Sequence, residues 1–490
     1  MLAAVLKEEG CEVHTIINTL MKPISNDDFI REALEIKPDF VGISMMTMEV
    51  LKVYALIRLL KAYGFFVIVG GAHATSCHEE VVRYGADIAV RNEGEDTIRE
   101  IVRGVKRQDI LGITYRSWGE LCINKPRPRA RDMSRIPLPD FSVFDLDHFR
   151  RTDDLIGGLF RVYTSRGCPG KCTFCDWQVF GQKVVYHPIS SVMEDIKRRI
   201  DTYGITTFLI ADDCFTTNKR HVEEFCREIV KIKPTVSWQT SARADQSTPE
   251  LMQMMADSGC FLVGFGTESG DPETLQRINK RVSVEENVKG VHYAAAAGMQ
   301  TCTNLMFGFP WETTKSLDNT LKFIYDVWDD TYMFNVAGAL IPFPGTEIYN
   351  EFVDIGNFRD YWLNLRYQDC GVQLYQNSIT PYAVSTFYQR NMYDDTYIQE
   401  EYFFKYSDEY KKRLSEVVAE VGRHNIGSFY RHNPVKRCLI YNGALLSRAM
   451  YRQFPRLEKG IGAWIPAKKR PHAEDTRNRN KGLVKHKGAT

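Results

Sequence analysis

The sequence predicts an α/β protein: a doubly wound, Rossmann-like sheet, then a partial (β/α)6 barrel, then a mostly helical C-terminal region. Two runs of strand–helix alternation, over residues 1–105 and 160–348, predict this, and a Pro/Arg-rich interruption separates them. In the first run Leu2–Glu9 reads as a helix closed by Gly10, and Glu12–Ile17 as a strand. A helix around Asp28–Ile36 follows, then Asp39–Ser44, a short apolar strand of the kind buried in parallel sheets. Val50–Tyr63 is amphipathic, Phe65–Gly71 is a second buried strand, Glu79–Tyr84 a short helix and Asp87–Val90 a strand. No strand precedes the first helix, so the sheet is expected to lack its first strand. Ligands of such sheets bind beyond the carboxyl ends of the strands. Those ends carry Ser44, Met45, Met46 and Thr47, then Gly70, Gly71, Ala72 and His73, then Asn92, Glu93, Gly94 and Glu95.

Residues 106–159 read as a linker. Ile110–Tyr115 and Leu121–Asn124 form a hairpin across Ser117-Trp118-Gly119, and Lys125-Pro126-Arg127-Pro128-Arg129 and Pro137-Leu138-Pro139 resist regular structure. The second run has strands at Phe160–Ser165, Thr207–Ala211, Val236–Ala242, Phe261–Thr267, Gln300–Phe307 and Met333–Ile341. Helices near Ser190–Thr202, Arg220–Ile232, Pro249–Asp257, Val284–Ala297 and Lys315–Trp328 separate them. Barrels of this design do their chemistry at the carboxyl ends of the strands. Residues 349–467 form an accessory region rich in Tyr and Phe, with helical patches at Asp408–Gly422 and Tyr441–Gln453. The last stretch, 468–490, has eight Lys/Arg against two acids and reads as a solvated, disordered tail.

Composition excludes several classes. In 490 residues, 44% hydrophobic and 26% charged, large cores are affordable and wholesale disorder is not expected. Lys plus Arg is 63 and Asp plus Glu 62, so no strong field exists to recruit nucleic acid or anionic lipid. No apolar run reaches the roughly 18 residues a spanning helix requires. Met1–Glu9 turns charged too early for a secretory signal, and a cytoplasmic protein is expected.

Nine of the twelve cysteines are scattered and read as small buried hydrophobes. Cys168, Cys172 and Cys175 crowd into eight residues after the first barrel strand, in Arg166-Gly167-Cys168-Pro169-Gly170-Lys171-Cys172-Thr173-Phe174-Cys175. Such a cluster in a long intracellular chain points to a metal or redox site. Three thiolates on one loop can hold three irons of a cluster whose fourth corner stays open. Structural zinc is disfavoured, since no second Cys/His couple lies nearby and His187 is twelve residues on.

The C-x3-C-x-aromatic-C loop after the first strand of a six-repeat barrel resembles the radical S-adenosylmethionine (radical SAM) superfamily, over Phe160 to about Ile348. With the preceding sheet, residues 1–350 resemble its cobalamin-binding subclass. The resemblance implies that Cys168, Cys172 and Cys175 hold a 4Fe–4S cluster and that S-adenosylmethionine chelates the fourth iron. It implies that Phe174 lies against the adenine, that Asp212 and Asp213 contact the methionyl amine, that Arg243 pairs with the methionyl carboxylate and that Glu268 accepts from the ribose. Met306–Pro310 and Ile341–Thr346 match the ends of the fifth and sixth strands. Each polar residue also has a plainer reading: Asp212 and Asp213 as turn caps, Glu268 as an N-cap partner, Arg243 as a surface ion pair.

Asp39–Ser44, Val69–Thr75 and Asn92–Glu95 look like the subclass's cobalamin module, with Ser44, Thr47, Gly70, Gly71, Glu93 and Gly94 as contacts. The Asp-x-His-x-x-Gly motif that supplies an axial histidine elsewhere is absent from residues 1–105, and His73 reads as a loop or surface residue rather than a cobalt ligand. The resemblance implies an enzyme that takes one electron from an external reductant, cleaves S-adenosylmethionine to a 5′-deoxyadenosyl radical and C-methylates an unactivated carbon. Oxidative cyclisation or rearrangement without methyl transfer is the alternative, and a non-catalytic cluster or cobalamin protein is another. The tRNA-methylthiolating relatives carry three further cysteines in the first domain, whereas residues 1–105 offer Cys11 and Cys77. The substrate is a small molecule or lipid. The aromatics Tyr402, Phe403, Phe404, Tyr406, Tyr430 and Trp464 are candidates to line a pocket, and Lys436–Arg452 to touch a membrane surface.

Overall fold

The computed structural model describes residues 1–16, 24–144, 161–364 and 403–429. Helix α1 (Leu2–Glu8) and α2 (Asn26–Ile36) come first, the latter capped by the Ser25 side chain on the Asp28 N–H. Strands β1 (Val41–Ser44), β2 (Val67–Gly70) and β3 (Ile88–Val90) pair in parallel, with Val41 opposite Val67 and Ile68 opposite Ile88. Helices α3 (Val50–Ala62), α4 (Ala72–Ser76), α5 (His78–Arg83) and α6 (Glu95–Val102) complete this layer. The hairpin of β4 (Ile113–Ser117) and β5 (Glu120–Ile123) is not a free-standing connector. It pairs antiparallel to β3 and extends the sheet to five strands.

One expected element does not form. Of the strand expected at Glu12–Ile17, the described residues 12–16 make no ladder, and the Thr15 hydroxyl bonds the Val143 carbonyl instead. Val13, Thr15 and Ile16 have the β-branched pattern of a strand, but propensity alone does not supply a neighbouring strand.

Strand β6 (Arg161–Val162) opens the second sheet, and a two-stranded ribbon of β7 (Ser165–Arg166) and β8 (Val185–Tyr186) brackets the cysteine loop. Then α7 (Ile189–Tyr203), β9 (Thr207–Ile210), α8 (Lys219–Ile229), β10 (Ser237–Ala242), α9 (Pro249–Asp257) and β11 (Cys260–Glu268) alternate. They are followed by α10 (Pro272–Arg277), α11 (Val284–Ala296), β12 (Gln300–Phe307), α12 (Thr314–Asp326), β13 (Met333–Ala339) and α13 (Glu347–Phe352). The strand order is β13-β12-β11-β10-β9-β6, all parallel, an open partial barrel. Helix starts follow local chemistry: Thr248 caps α9 ahead of Pro249, Asp271 caps α10 ahead of Pro272, and Ser283 with Glu286 forms a capping box on α11.

The two sheets share a core. Val53, Ile57, Val67 and Val69 of the first pack in one cluster with Leu275, Ile278, Phe309, Leu340 and Trp362. On the other face of the first sheet, Val5, Ile68, Ile88 and Ile113 form a second cluster.

Helix α14 (Asp408–Phe429) covers the β13 edge, burying Leu414, Val417 and Val421. Its Asn425 side chain accepts from the Phe334 N–H at 2.9 Å and donates to the Phe334 carbonyl at 2.7 Å, standing in for a neighbouring strand. Tyr410 Oη donates at 2.8 Å to buried Glu312, which also accepts the Gly308 and Phe309 N–H groups. The predicted helix at Tyr441–Gln453, the residues Phe160, Tyr402, Tyr430 and Trp464, the Lys436–Arg452 segment and the basic tail lie outside the described residues. Among the described residues no helix is long and apolar enough to cross a membrane.

Burial pushes the Glu312 carboxyl up to about 7, against an ordinary value of 4.5. The protonated form is therefore the one the fold favours. Its stabilising contribution is complete below about pH 4.5 and is lost as pH rises through about 7. The unfolding free energy of the wild type from urea titrations should fall across that window relative to E312Q, by on the order of 3 kcal/mol. Parallel pH profiles for the two proteins would contradict the assignment.

Candidate radical SAM and B12-binding site

The cysteine loop leaves β7 at Gly167, whose φ of +92° requires glycine, and a Cβ there would sit 2.6 Å from the Lys183 carbonyl. The Cys168 N–H donates to the Gly181 carbonyl at 3.2 Å and the Cys175 N–H to the Cys172 carbonyl at 3.1 Å. Distant segments hold the loop from outside. The Thr173 N–H donates to the Ile278 carbonyl, the Ile348 N–H to the Thr173 carbonyl, and Asn279 Nδ2 to the Lys171 carbonyl, each at 3.0 Å.

Two charged anchors fix the root of the loop. Asp212, at the end of β9, is buried and accepts four hydrogen bonds: from the Thr164 and Ser165 N–H groups at 2.6 and 3.1 Å, and from their hydroxyls at 2.5 and 2.7 Å. Burial raises its carboxyl to about 6, against these four donors. Arg166 is buried and donates to Glu93 at 2.9 Å and Glu95 at 2.6 Å, both at the carboxyl edge of the first sheet, while its guanidinium lies 5.1 Å from the Phe180 ring.

Cys168 and Cys172 gather around Gly170, where a Cβ would approach Cys168 Sγ to 3.3 Å and Cys172 Sγ to 3.9 Å. A hydrogen bond from the Cys214 thiol and the Gly170 N–H draw the Cys168 thiol below its ordinary range, and Cys214 is raised correspondingly. Burial pushes Cys172 up, so metal uptake by this loop releases protons. Among the described residues no three His, Cys, Asp or Glu side chains converge on one point as a single ion would need. A cubane asks instead for sulfurs spread around a cage. A glycine-lined space with three thiols and adjacent cations fits that group.

The charged residues at the strand ends have distinct tasks. Asp213 is exposed and accepts the Gly167 N–H at 2.7 Å. Arg243 pairs with Asp245 at 3.0 and 3.1 Å and donates to the Lys280 carbonyl at 2.9 Å, with Nη1 3.8 Å from a Cβ placed on Gly170. Glu268 ends β11 in the left-handed region, φ +62°, and forms a buried ion pair with Lys280 at 2.8 Å. Phe174 meets Phe309 edge-on at 6.3 Å.

Four expectations need correction. Asp212 has no exposed carboxylate to offer an ammonium, because four donors from Thr164 and Ser165 occupy it. Glu93 spends both oxygens inside the protein, on Arg166 and on the Ala130 N–H at 2.8 Å. Thr47 is buried, 3.2 Å from His73 Nδ1. His73 is neither in a loop nor at the surface. It is fully buried in α4, with Nε2 3.4 Å from Glu80 and its ring edge-on to Trp362.

Ser44, Gly70, Gly71 and Gly94 do lie along the carboxyl edge of β1–β3. Gly71, φ +100°, is required there, since a Cβ would fall 2.8 Å from the Met45 carbonyl. Exposed Ser44 and small residues at the edge leave room for a bulky planar ligand, which fits a corrin. Three residues were missed. Arg166 stands two residues before the first cysteine, and Cys214 follows Asp212-Asp213, so each had a positional signal. Lys280 had none. Of the other scattered cysteines, Cys226, Cys260 and Cys302 are buried and Cys11, Cys77 and Cys122 partly so, while Cys370 and Cys438 lie outside the described residues.

A cluster-type cysteine loop opening a parallel partial barrel, ion-paired to the carboxyl edge of a doubly wound sheet, defines a radical SAM enzyme with a second cofactor module. Comparison with known proteins agrees. The family model for the radical SAM superfamily matches residues 162–324, and that for the B12 binding domain residues 1–102. An uncharacterized methyltransferase of Pyrococcus horikoshii is 30% identical over 374 residues, covering 74% of this chain and 80% of that one. The anaerobic magnesium-protoporphyrin IX monomethyl ester cyclase of Rubrivivax gelatinosus is 25% identical, covering 74% and 67%. The radical S-adenosylmethionine methyltransferase TsrM of Kitasatospora setae, solved with cobalamin and a 4Fe–4S cluster bound, shares the fold at a TM-score of 0.62 and 19% identity, covering 72% and 71%. The chain belongs to the B12-binding branch of the radical SAM superfamily, whose cofactors are a 4Fe–4S cluster, S-adenosylmethionine and cobalamin.

Removing Arg166 takes the guanidinium away from buried Glu95 and half-buried Glu93. R166M should lose about 3–5 kcal/mol in denaturant titrations, and the triple variant R166M/E93Q/E95Q should recover most of it. Equal losses in both would refute an uncompensated-charge origin.

Proposed function

We propose that this enzyme abstracts hydrogen from an unactivated carbon of a small-molecule or lipid substrate and methylates that carbon, in the cytoplasm, with an external one-electron reductant. The observation that carries the reading is the ion pairing of the cysteine loop to the carboxyl edge of the first sheet through Arg166, which sets the two cofactor sites against each other. The relationship to the Pyrococcus methyltransferase supports methyl transfer. The relationship to the Rubrivivax cyclase favours a second reading, oxidative cyclisation by the same site without methyl delivery.

The chemistry the cofactors supply when bound is one-electron cleavage of the sulfonium carbon–sulfur bond and methyl transfer from cobalt. The chain's residues bind and orient. Cys168, Cys172 and Cys175 would hold the cluster. The exposed Asp213 carboxylate would accept from the methionyl amine, a task Asp212 cannot share. Arg243, beside the cysteines, would pair with the methionyl carboxylate, and the Glu268 oxygen not bonded to Lys280 would accept from the ribose. Phe174, backed by Phe309, would cover the adenine and exclude water. Ser44, Gly70, Gly71 and Gly94 would border the corrin.

Anaerobic reconstitution with iron, sulfide, reductant and S-adenosylmethionine should yield 5′-deoxyadenosine. C172A should abolish the product, and D213N should lower its rate about tenfold or more through lost orientation. Undiminished product from C172A would overturn the assignment. With methyl-labelled S-adenosylmethionine and cell extract, label in a substrate carbon supports methylation. Deoxyadenosine formed without label transfer favours cyclisation.

A further inference from the structure

We infer that the outer side of the cysteine loop, together with the strap Ile278–Arg281 that joins α10 to α11, is the docking surface for an acidic one-electron carrier protein. The inference rests on the reading that an external reductant serves a cluster on this loop. Loop and strap are locked together. The Thr173 N–H donates to the Ile278 carbonyl and Asn279 Nδ2 to the Lys171 carbonyl, each at 3.0 Å, and Arg281 Nε donates to Asn279 Oδ1 at 3.1 Å. The Asn279 amide thus joins Lys171 of the loop to Arg281 of the strap. Asn279 and Arg281 both adopt left-handed conformations, φ +53° and +55°, which persist only where the surroundings over-determine them. Here they turn Lys280 inward onto Glu268 and leave Arg281 at the surface.

The charge on this surface is one-sided. Residues 166–175 hold Arg166 and Lys171, and residues 274–284 hold Arg277, Lys280 and Arg281, with no acid in either segment. Arg166 and Lys280 are buried and matched by Glu93, Glu95 and Glu268. Lys171, Arg277 and Arg281 are exposed. Among the described residues neither Lys171 nor Arg281 pairs with a carboxylate, and the carboxylate partner of Arg277 is Glu273, at 3.9 Å. A ladder of rings fixes Arg277 beside the loop: its guanidinium lies 4.4 Å from the Trp311 ring, Trp311 stacks on Phe309 at 5.3 Å, and Phe309 meets Phe174. Over the whole chain basic and acidic residues nearly cancel, 63 against 62, so this patch is local. Electron tunnelling falls steeply with distance, and a carrier must therefore approach the loop closely. From the strap side it meets three cations around the loop, which complement a protein whose redox centre is ringed by carboxylates. One electron leaves the carrier's reduced flavin or iron–sulfur centre and enters the cluster, and no bond is made or broken.

The test uses the full chain reconstituted anaerobically, with a purified acidic flavodoxin as the probe. Iron and sulfide content is measured first, and wild-type protein that takes up neither overturns the cluster assignment and the inference with it. Association is then measured by titration calorimetry at low and high salt. Electron transfer is followed as bleaching of the cluster absorbance by excess reduced flavodoxin or by dithionite. The wild type should bind roughly tenfold more weakly at about 0.5 M salt than at about 0.05 M. K171Q/R277Q/R281Q should lose on the order of tenfold in affinity and in bleaching by flavodoxin, while bleaching by dithionite, which needs no docking, keeps the wild-type rate. R277K/R281K should bind as the wild type does. A loaded triple variant that flavodoxin binds and bleaches at wild-type strength overturns the inference. So does a wild type that dithionite bleaches but flavodoxin neither binds nor reduces. If the triple variant fails to load, R277Q/R281Q, which leaves the cysteine loop unaltered, decides: weakened binding supports the surface, and unchanged binding overturns it.

Discussion

The architecture depends on one buried guanidinium. Arg166 is two residues before the first cysteine, and its charge is matched by Glu93 and Glu95, seventy residues away in the first sheet. A buried charge without partners is strongly unfavourable, so neither the cysteine loop nor the β3–α6 turn reaches its observed state without the other. The common core, where Val67 and Val69 pack with Phe309 and Leu340, supplies adhesion between the sheets. The ion pairs supply registry, placing the carboxyl edge of one sheet against the cysteine loop of the other.

Around this joint the site is a balance of opposite charges held by saturated hydrogen bonding. Asp212 gives all of its acceptor capacity to Thr164 and Ser165 and stiffens the chain entering the loop. Asp213, the next residue, keeps solvent access. Adjacent carboxylates thus divide into one that builds and one that is available, and burial decides which. Similarly, Arg243 brings positive charge toward thiols that become anionic on binding iron, and Asp245 keeps that cation in place.

Much of this was legible in the sequence. The six strand–helix repeats of the barrel are each bounded by polar caps, Gly or Pro, and the observed strands and helices start or end within a few residues of the expected positions. Cys168, Cys172 and Cys175 announce themselves by spacing. What could not be read was partnership at long range. Thr47, Glu93 and Asp212 have the right chemistry at the right strand ends, but only the folded chain shows that His73, Arg166 and the Thr164–Ser165 segment have already claimed them. His73 was misread for the same reason: Thr47, Glu80 and Trp362 surround it from three separate segments. Residues 12–16 show the converse, a strand-like pattern with no strand beside it. Lys280 lies outside every motif and reaches the site through two left-handed residues that no periodicity marks.

The contacts that shape the cysteine loop also order events during synthesis. Thr173 receives its two backbone partners from Ile278 and Ile348, the second of them 175 positions later in the chain. A ribosome adding roughly 5–20 residues per second needs about 10–35 s to travel that distance. Over that interval the loop lacks at least one of the two segments that brace Thr173. The walls of the cysteine loop are therefore completed only after most of the barrel has been made.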